Sequence, residues 1–299
     1  MPANTGSYTW LMKVYQEILS TRTAIRAIRQ SNKSIGLIPT MGALHEGHLS
    51  LIRASKKEND VTIVTIFVNP IQFNNIEDLQ SYPSSFDEDL VILEEIGCDI
   101  VFTPAVEEMY PEEPVINISF GEMEEIMEGA YRSGHFRGVA LVVIKLFNIL
   151  QPTRAYFGQK DLQQFKIIEQ MVFDTSIDLI LKMMPIIREH SGLALSSRNQ
   201  RLTEIGRGIA PQIYAALNVA AKELQKGNTI KKSISLAEDH IAEYQEIKLE
   251  YLQLVNLKDL RVVETANGSN QLVLCFAGYI DNIRLIDNLL IDREGEYED

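Results

Sequence analysis

The chain has 299 residues, 45% of them hydrophobic and 23% charged, which is enough for one large or two moderate domains of ordinary globular composition. Its 28 Lys and Arg against 41 Asp and Glu leave a net charge of −13, which argues against nucleic acid as a partner, because phosphate affinity needs clustered cations. No apolar run reaches the roughly 18 residues of a membrane span, and MPANTGSYTWLMKVYQEI lacks the basic-then-apolar pattern of a secretory signal.

Residues 1–11 read as an upstream start or remnant ahead of the fold. Residues 13–31 predict a strand and then a helix, with Ile18, Leu19, Ile25 and Ile28 as apolar positions. Ile35–Ile38 is a short buried strand, expected to stop at Pro39, which has no N–H for a ladder. A helix is expected over 43–58. Val61–Val68 (VTIVTIFV) is a β-branched run suited to a strand buried on both faces. A helix over 85–96 closes on Gly97, followed by a strand over 99–102. Then come an amphipathic helix over 137–150, a strand over 155–157, a helix over 161–173 and a strand over 177–184. This alternation implies an α/β region with a parallel sheet and right-handed crossovers.

After about residue 200 the rhythm changes. Helices are expected over 203–226 and 230–246, then strands over 248–255, 271–277 and 280–286, an α+β pattern. The expected division is therefore 1–186 and 187–299, the second part ending in an acidic, solvated REGEYED tail. Cys98 and Cys275 lie in apolar surroundings, GCDIVF and LVLCFAG, and read as buried reduced thiols, which points to the cytosol.

Three clusters carry chemistry. PTMGALHEGH at 39–48 lies between a predicted strand and a predicted helix, at the carboxyl end of a parallel strand, where ligands bind. Gly42 and Gly47 allow close backbone approach, and the helix N-terminus suits a phosphate. His45 and His48, three apart, share a helical face and can donate to nucleotide phosphates. A structural histidine pair and a zinc site compete with this. Zinc on a helix wants His at i and i+4 plus a third ligand, and a P-loop is excluded by the absence of GK[ST] here. FGQKD at 157–161 follows another short strand. Lys160 can reach a phosphate, Gly158 permits backbone contact, and Asp161 is placed to cap the next helix. LSSRN at 195–199 combines two hydroxyls with a guanidinium, either as an anion grip or as a polar linker.

HxGH followed far downstream by SSR resembles the nucleotidylyltransferase superfamily, whose core is similar to that of class I aminoacyl-tRNA synthetases. Further segments narrow the resemblance. IFVNPIQF at 66–73, YP at 82–83, RSGHFRGV at 132–139, KLFNIL at 145–150, YFGQKDLQQ at 156–164 and GLALSSRN at 192–199 resemble the pantothenate synthetase family, in its order and spacing, from about residue 12 to about residue 290.

The resemblance implies a homodimeric cytoplasmic enzyme that uses ATP and Mg²⁺, with a Rossmann-like N-terminal domain and a smaller C-terminal lid. It implies that Met41, Gly42, Ala43, Leu44, His45, Glu46, Gly47 and His48 line the ATP site, with His48 as proton donor. Gly158, Gln159, Lys160, Asp161, Ile187, Leu195, Ser196, Ser197 and Arg198 would also contact ATP. Gln72 and Gln164 would hold pantoate, and Gln72, Asn69 and Tyr82 would border β-alanine. Asp89 is a plausible neighbour of Mg²⁺, its alternative being a solvated helix carboxylate. Two departures are noted: the family often has Glu at Gln159 and Val at Ile187.

The expected chemistry is attack of the pantoate carboxylate on the α-phosphorus of ATP. His45, His48, Lys160, Arg198 and Mg²⁺ would neutralise the departing pyrophosphate, and the β-alanine amine would then attack the acyl adenylate. The 196–198 loop would close over the ATP phosphates. Another adenylyl transferase, or a non-catalytic nucleotide- or tRNA-binding module, is the competing expectation. Gln72 and Gln164 argue against the first, and the acidic balance against the second.

Overall fold

The protein is described here from a computed structural model covering residues 12–264 and 271–292. The first 11 residues and the REGEYED tail lie outside the described residues. The first part contains, in order, β1 (Lys13–Tyr15), α1 (Ile18–Gln30), β2 (Ile35–Thr40), α2 (Glu46–Glu58), β3 (Val61–Ile66), α3 (Ile76–Gln80) and α4 (Phe86–Glu95). It continues with β4 (Ile100–Phe102), α5 (Val106–Met109), α6 (Glu128–Tyr131), α7 (His135–Leu150), β5 (Arg154–Gly158), α8 (Leu162–Thr175) and β6 (Ile180–Met184). The second part is α9 (Glu204–Ile209), α10 (Gln212–Gln225), α11 (Ile230–Ala242), β7 (Lys248–Asn256), β8 (Gln271–Ile280) and β9 (Ile283–Asp292).

The six strands of the first part form one parallel sheet in the order β1-β4-β3-β2-β5-β6. Alternate residues of its central strands serve opposite faces, as a pleated strand requires. Leu37, Ile63 and Phe102 pack with α1, α7 and α8, whereas Ile38, Val64 and Val101 pack with α2 and α4. Both layers are apolar, so the strands read as continuous hydrophobic runs.

Chain order along the sheet reverses between β2 and β5, the place where open α/β sheets bind ligands. The two strands pair only through Gly36 and Leu37 and then part. This also corrects the expected end of β2, which continues through Pro39 in register with Thr65. Odd-numbered positions of β2 turn their polar groups toward β5, as the Thr153 N–H on the Ile35 carbonyl shows. The missing N–H of Pro39 therefore falls on the side where pairing has already ended.

The second sheet is antiparallel, β7-β8-β9. Leu272, Leu274 and Phe276 face α10 and α11. Val273, Cys275 and Ala277 face the other way, joining Met127 and Leu162 of the first part. Two expectations are corrected here. The helix over 203–226 is broken at Pro211, whose ring cannot continue a helix through its predecessors. The last hairpin turns at Asp281–Asn282, not before residue 280, because these two residues take φ of 53° and 61°, the left-handed region that Asp and Asn tolerate best.

Candidate active site

A cleft opens where β2 and β5 part, lined on one side by residues after these strands and on the other by Ile187, Leu195–Arg198 and β9. The loop after β2 bends sharply, with φ of +82° at Gly42 and +50° at Ala43. A Cβ on Gly42 would come within 2.9 Å of Asp89 Oδ2. That carboxylate accepts the N–H groups of Ala43 and Leu44, both at 2.8 Å, and the Ser85 hydroxyl at 3.2 Å. Asp89 is 1% exposed. It is therefore not a solvated helix carboxylate; it is the anchor that shapes the histidine loop, and it does not line the cleft.

The bend also shortens α2, which begins at Glu46 instead of residue 43. His45 is consequently the N-cap and not a member of the helical face. Its Nδ1 accepts the Gly47 N–H at 3.2 Å, and His48 Nδ1 accepts the His45 N–H at 3.3 Å. This reciprocal capping brings the ring centroids to 4.1 Å. It also fixes the tautomer, because an Nδ1 that accepts leaves the proton on Nε2. Burial, reinforced by the Lys160 charge, pushes His45 down to about 4. Burial and then its neighbour His45 push His48 down to about 3. Both rings are therefore neutral near pH 7 and act as Nε2–H donors.

After β5, Lys160 faces the cleft with its Nζ 3.5 Å from Asp161 Oδ1. Asp161 occupies the N-cap position of α8 but makes no capping bond. The two glutamines that follow differ sharply. Gln163 is 2% exposed and uses its amide on the Glu128 N–H and on the carbonyls of Met123 and Ile126. Gln164 lines the cleft, and among the described residues its amide has no hydrogen-bond partner in the protein.

Gln72 also lines the cleft, with Nε2 2.9 Å from Met41 Sδ. Asn69, 1% exposed, donates to Gln72 Oε1 and to the Gly138 carbonyl, and accepts the Tyr110 hydroxyl at 3.0 Å. Gly138 allows α7 to lie directly on this turn, since a Cβ there would stand 2.6 Å from the Gln72 backbone. Tyr82 lines the cleft beside Arg198.

From the far side come Ser196, Ser197 and Arg198. The Ser196 hydroxyl accepts the Arg198 N–H at 3.3 Å, and the Ser197 hydroxyl donates to the Ala43 carbonyl at 2.9 Å. The hydroxyls thus shape and tether the loop, and Arg198 supplies its charge, paired to Asp78 at 2.9 Å. Met41, Gly47, Gly158, Ile187 and Leu195 also line the cleft. Gly42, Ala43, Leu44, Glu46 and Gln159 do not. The first three are buried behind the loop, Glu46 is exposed and pairs with Arg53, and Gln159 reaches Asn288.

Several cleft residues had no role in the sequence analysis, Arg132 and His135 foremost among them. These two lie in RSGH, a segment that follows no strand and so drew no weight as a ligand site. His135 Nδ1 donates to the Gln72 carbonyl at 2.8 Å, and its Nε2 accepts from Arg132 Nη1 at 3.1 Å. Burial and the Arg132 charge push it down to about 3, so it too is neutral, in the opposite tautomer. Burial and the nearby Arg198 charge lower Arg132 to about 10, still fully charged at pH 7. Among the described residues no carboxylate lies within ion-pair distance of Arg132. An anionic ligand would relieve this convergence of cations.

The pantoate–β-alanine ligase family profile matches residues 13–290. This chain belongs to the pantoate–β-alanine ligase family. It is 45% identical over 264 residues to pantothenate synthetase of Cytophaga hutchinsonii, covering 88% of this chain and 93% of that protein. It is 45% identical over 284 residues to pantothenate synthetase of Caldicellulosiruptor bescii, covering 95% of this chain and 100% of the other. Its fold matches the crystal structure of pantothenate synthetase from Thermus thermophilus with a TM-score of 0.88 at 36% identity, over 93% of this chain and 99% of that one. The pantoate–β-alanine ligase of Francisella tularensis, solved with β-γ ATP and β-alanine, matches with a TM-score of 0.77 at 37% identity over 93% and 97% of the two chains. Family membership accounts for motifs on both parts of the chain, since the match spans the histidine loop, the Lys160 turn and the Arg198 loop together.

Proposed function

We propose that the protein joins pantoate to β-alanine with ATP, forming a pantoyl adenylate, then pantothenate and AMP. Beyond family membership, one observation carries this: two neutral imidazole donors, three cations and the unpartnered Gln164 amide converge at the switch point of the sheet. A carboxylate is a poor acyl donor. In the first step a pantoate oxygen attacks the α-phosphorus and pyrophosphate departs. His45 and His48, through Nε2–H, and Lys160, Arg198 and Arg132 meet the negative charge that builds on the phosphates. In the second step the β-alanine amine attacks the acyl carbon, the acyl–phosphate bond breaks, AMP leaves, and the amine loses its proton to water. No side chain forms a covalent intermediate. Positioning and preorganised charge supply the rate.

The glutamines Gln72 and Gln164 are proposed to hold pantoate, with Tyr82 and Asn69 at the β-alanine end. Asn69 acts there by fixing Gln72, as its own amide is already engaged. The division at 186/187 is proposed as the hinge of a lid. Among the described residues no group of three or more His, Cys, Asp or Glu side chains could cage a metal. Mg²⁺ is therefore proposed to accompany the ATP phosphates, keeping much of its water, and no step is routed through it. A homodimer in the cytoplasm is also proposed. Val115 and Ile116, 96% and 69% exposed, offer an apolar surface for a second copy, and Cys98 and Cys275 are free thiols. Among the described residues no helix is long and apolar enough to cross a membrane.

The test is an assay of product release. Pyrophosphate exchange should require pantoate alone, and net AMP release should require both pantoate and β-alanine. AMP transfer onto a phosphorylated acceptor, with no need for β-alanine, would identify a different adenylyl transferase.

A further inference from the structure

Lys160 sits in a single turn at Gln159–Asp161, between β5 and α8, and a turn of that length does not hold itself. The structure braces it from the other sheet. Asn288 on β9 is 3% exposed, and its Nδ2 donates to the carbonyls of both Gln159 and Lys160, at 3.0 and 3.1 Å. Its Oδ1 accepts Gln159 Nε2 at 3.0 Å. One amide side chain thus saturates the turn that aims Lys160.

Asn288 is itself clamped. Asp287 Oδ1 accepts the Asn288 N–H at 2.8 Å, and Arg188 Nη2 donates to the Asn288 carbonyl at 3.2 Å. Arg188 grips both oxygens of Asp287, at 2.6 and 2.9 Å, and lies 3.8 Å from the centre of the Tyr214 ring. Arg188 Nη1 also holds the Gly192 carbonyl at 3.1 Å. Arg188 belongs to the segment that pairs with Ala194 and leads directly into Ser196–Arg198. A buried, bidentate Arg–carboxylate pair is geometrically exacting. It joins the strand that carries Asn288 to the loop that carries Arg198.

Resting on the ligase reading above, we propose that Asn288 is a positioning residue for Lys160, and that the Arg188–Asp287 pair sets the Lys160 turn and the Arg198 loop in one common frame. The consequence is that the two phosphate-facing cations, on opposite sides of the cleft, keep their spacing only while β9 is seated on the turn. A displacement of about 1 Å in such a group costs about 100-fold in rate.

The experiment uses Asn288→Ala and Asn288→Asp in the full chain. The Asp variant keeps size and an oxygen toward Gln159 Nε2 but loses the N–H₂ that reaches both carbonyls. Active sites are titrated by the burst of pyrophosphate, and the adenylation rate is expressed per titrated site. The expected result is a fall of about 10- to 100-fold per site in both variants, with the KM for pantoate within about twofold of the parent. In a Lys160→Ala background the Asn288→Ala change should add less than about twofold, because residues acting as one unit are not additive. A merely structural Asn288 would lower the number of titratable sites and leave the rate of each unchanged. That outcome, or losses that multiply in the double variant, overturns the proposal. Absence of pantoate-dependent exchange in the parent protein would instead defeat the ligase reading, so the two failures are distinguishable.

Discussion

On the parallel-sheet side of the cleft, the two histidines are capped within their own loop, unlike the Lys160 turn. His45 and His48 are held by backbone N–H groups no more than three positions away. On the opposite side the partners are remote in sequence. Arg198 and Asp78 are 120 residues apart, Gln159 and Asn288 129, Ser197 and Ala43 154. The histidine side is therefore shaped as soon as the first sheet, α2 and α4 form, whereas the arginine side exists only when both sheets are docked. The first half of the site should survive perturbation of the second, and not the reverse.

The largest effect should come from severing the docked side. Arg284 on β9 pairs with Glu128 of the first part and Glu250 of the second, all three side chains at most 15% exposed. Tyr251 adds its hydroxyl to Glu128 at 2.8 Å. Burial opposes the charge on Glu128, but the Arg284 bonds outweigh it and hold that carboxyl below its usual range. Arg284→Ala leaves two carboxylates buried without their cation, and should cost about 3–5 kcal/mol of unfolding free energy. Urea titration checks this, and a loss below about 1 kcal/mol would show that water replaces the cation freely.

Next in size is His48→Ala. Removing one preorganised donor should slow adenylation about 10²- to 10³-fold with the fold retained. Near-normal pyrophosphate exchange would remove His48 from the chemistry. The adjacent glutamines sharpen the contrast between substrate contact and scaffold. Gln164→Ala should weaken pantoate by about 1–3 kcal/mol and leave ATP almost unaffected. Gln163→Ala should instead lower the melting temperature, because three backbone groups around Met123–Glu128 lose their partner. Matching profiles for the two variants would contradict the division of labour. The smallest effect belongs to Ser197→Ala, about 1 kcal/mol for one tether to Ala43, read as faster hydrogen exchange over 190–200.

Acid should act on the histidine side first. An unfolded imidazole takes up its proton near pH 6.5, while His45 does so at about 4 and His48 and His135 at about 3. Between those values the unfolded chain binds more protons, so stability falls as pH drops from about 6.5 toward 4. Above that window these rings contribute no slope, and adenylation should show no acid limb from them between pH 6 and 8. A titration of ring signals with midpoints near 6.5 would overturn this.

Much of the fold was legible in the sequence, because β-branched runs alternated with helical periods and the motif loops fell at strand ends. Positions where local rules misled share one cause. Pro39 continues a strand because its missing N–H faces a gap between β2 and β5. Asp89 reads as a neighbour of Mg²⁺ or a solvated helix carboxylate, yet it is buried under a loop that lies more than forty residues earlier. Glu128 and Arg284, 156 residues apart, carry no local signature at all. The site motifs were readable for the opposite reason: PTMGALHEGH, FGQKD and LSSRN are each contiguous. What could not be read was how their atoms are divided, with Ser196 and Ser197 shaping the loop and Arg198 alone bringing charge.

The buried thiols extend the comparison between the two parts. Cys98 lies under the first sheet, where burial pushes its thiol up to about 12, and Cys275 lies on β8 in the apolar seam against Met127 and Leu162. Burial raises Cys275 further still. Thiolate is the reactive form, so both are silent while the halves are seated. Parting of the seam would uncover Cys275, and melting of the first sheet would be needed to uncover Cys98. A colourless-to-yellow thiol reagent should therefore read any opening of the seam at Cys275 separately from unfolding of the first sheet at Cys98.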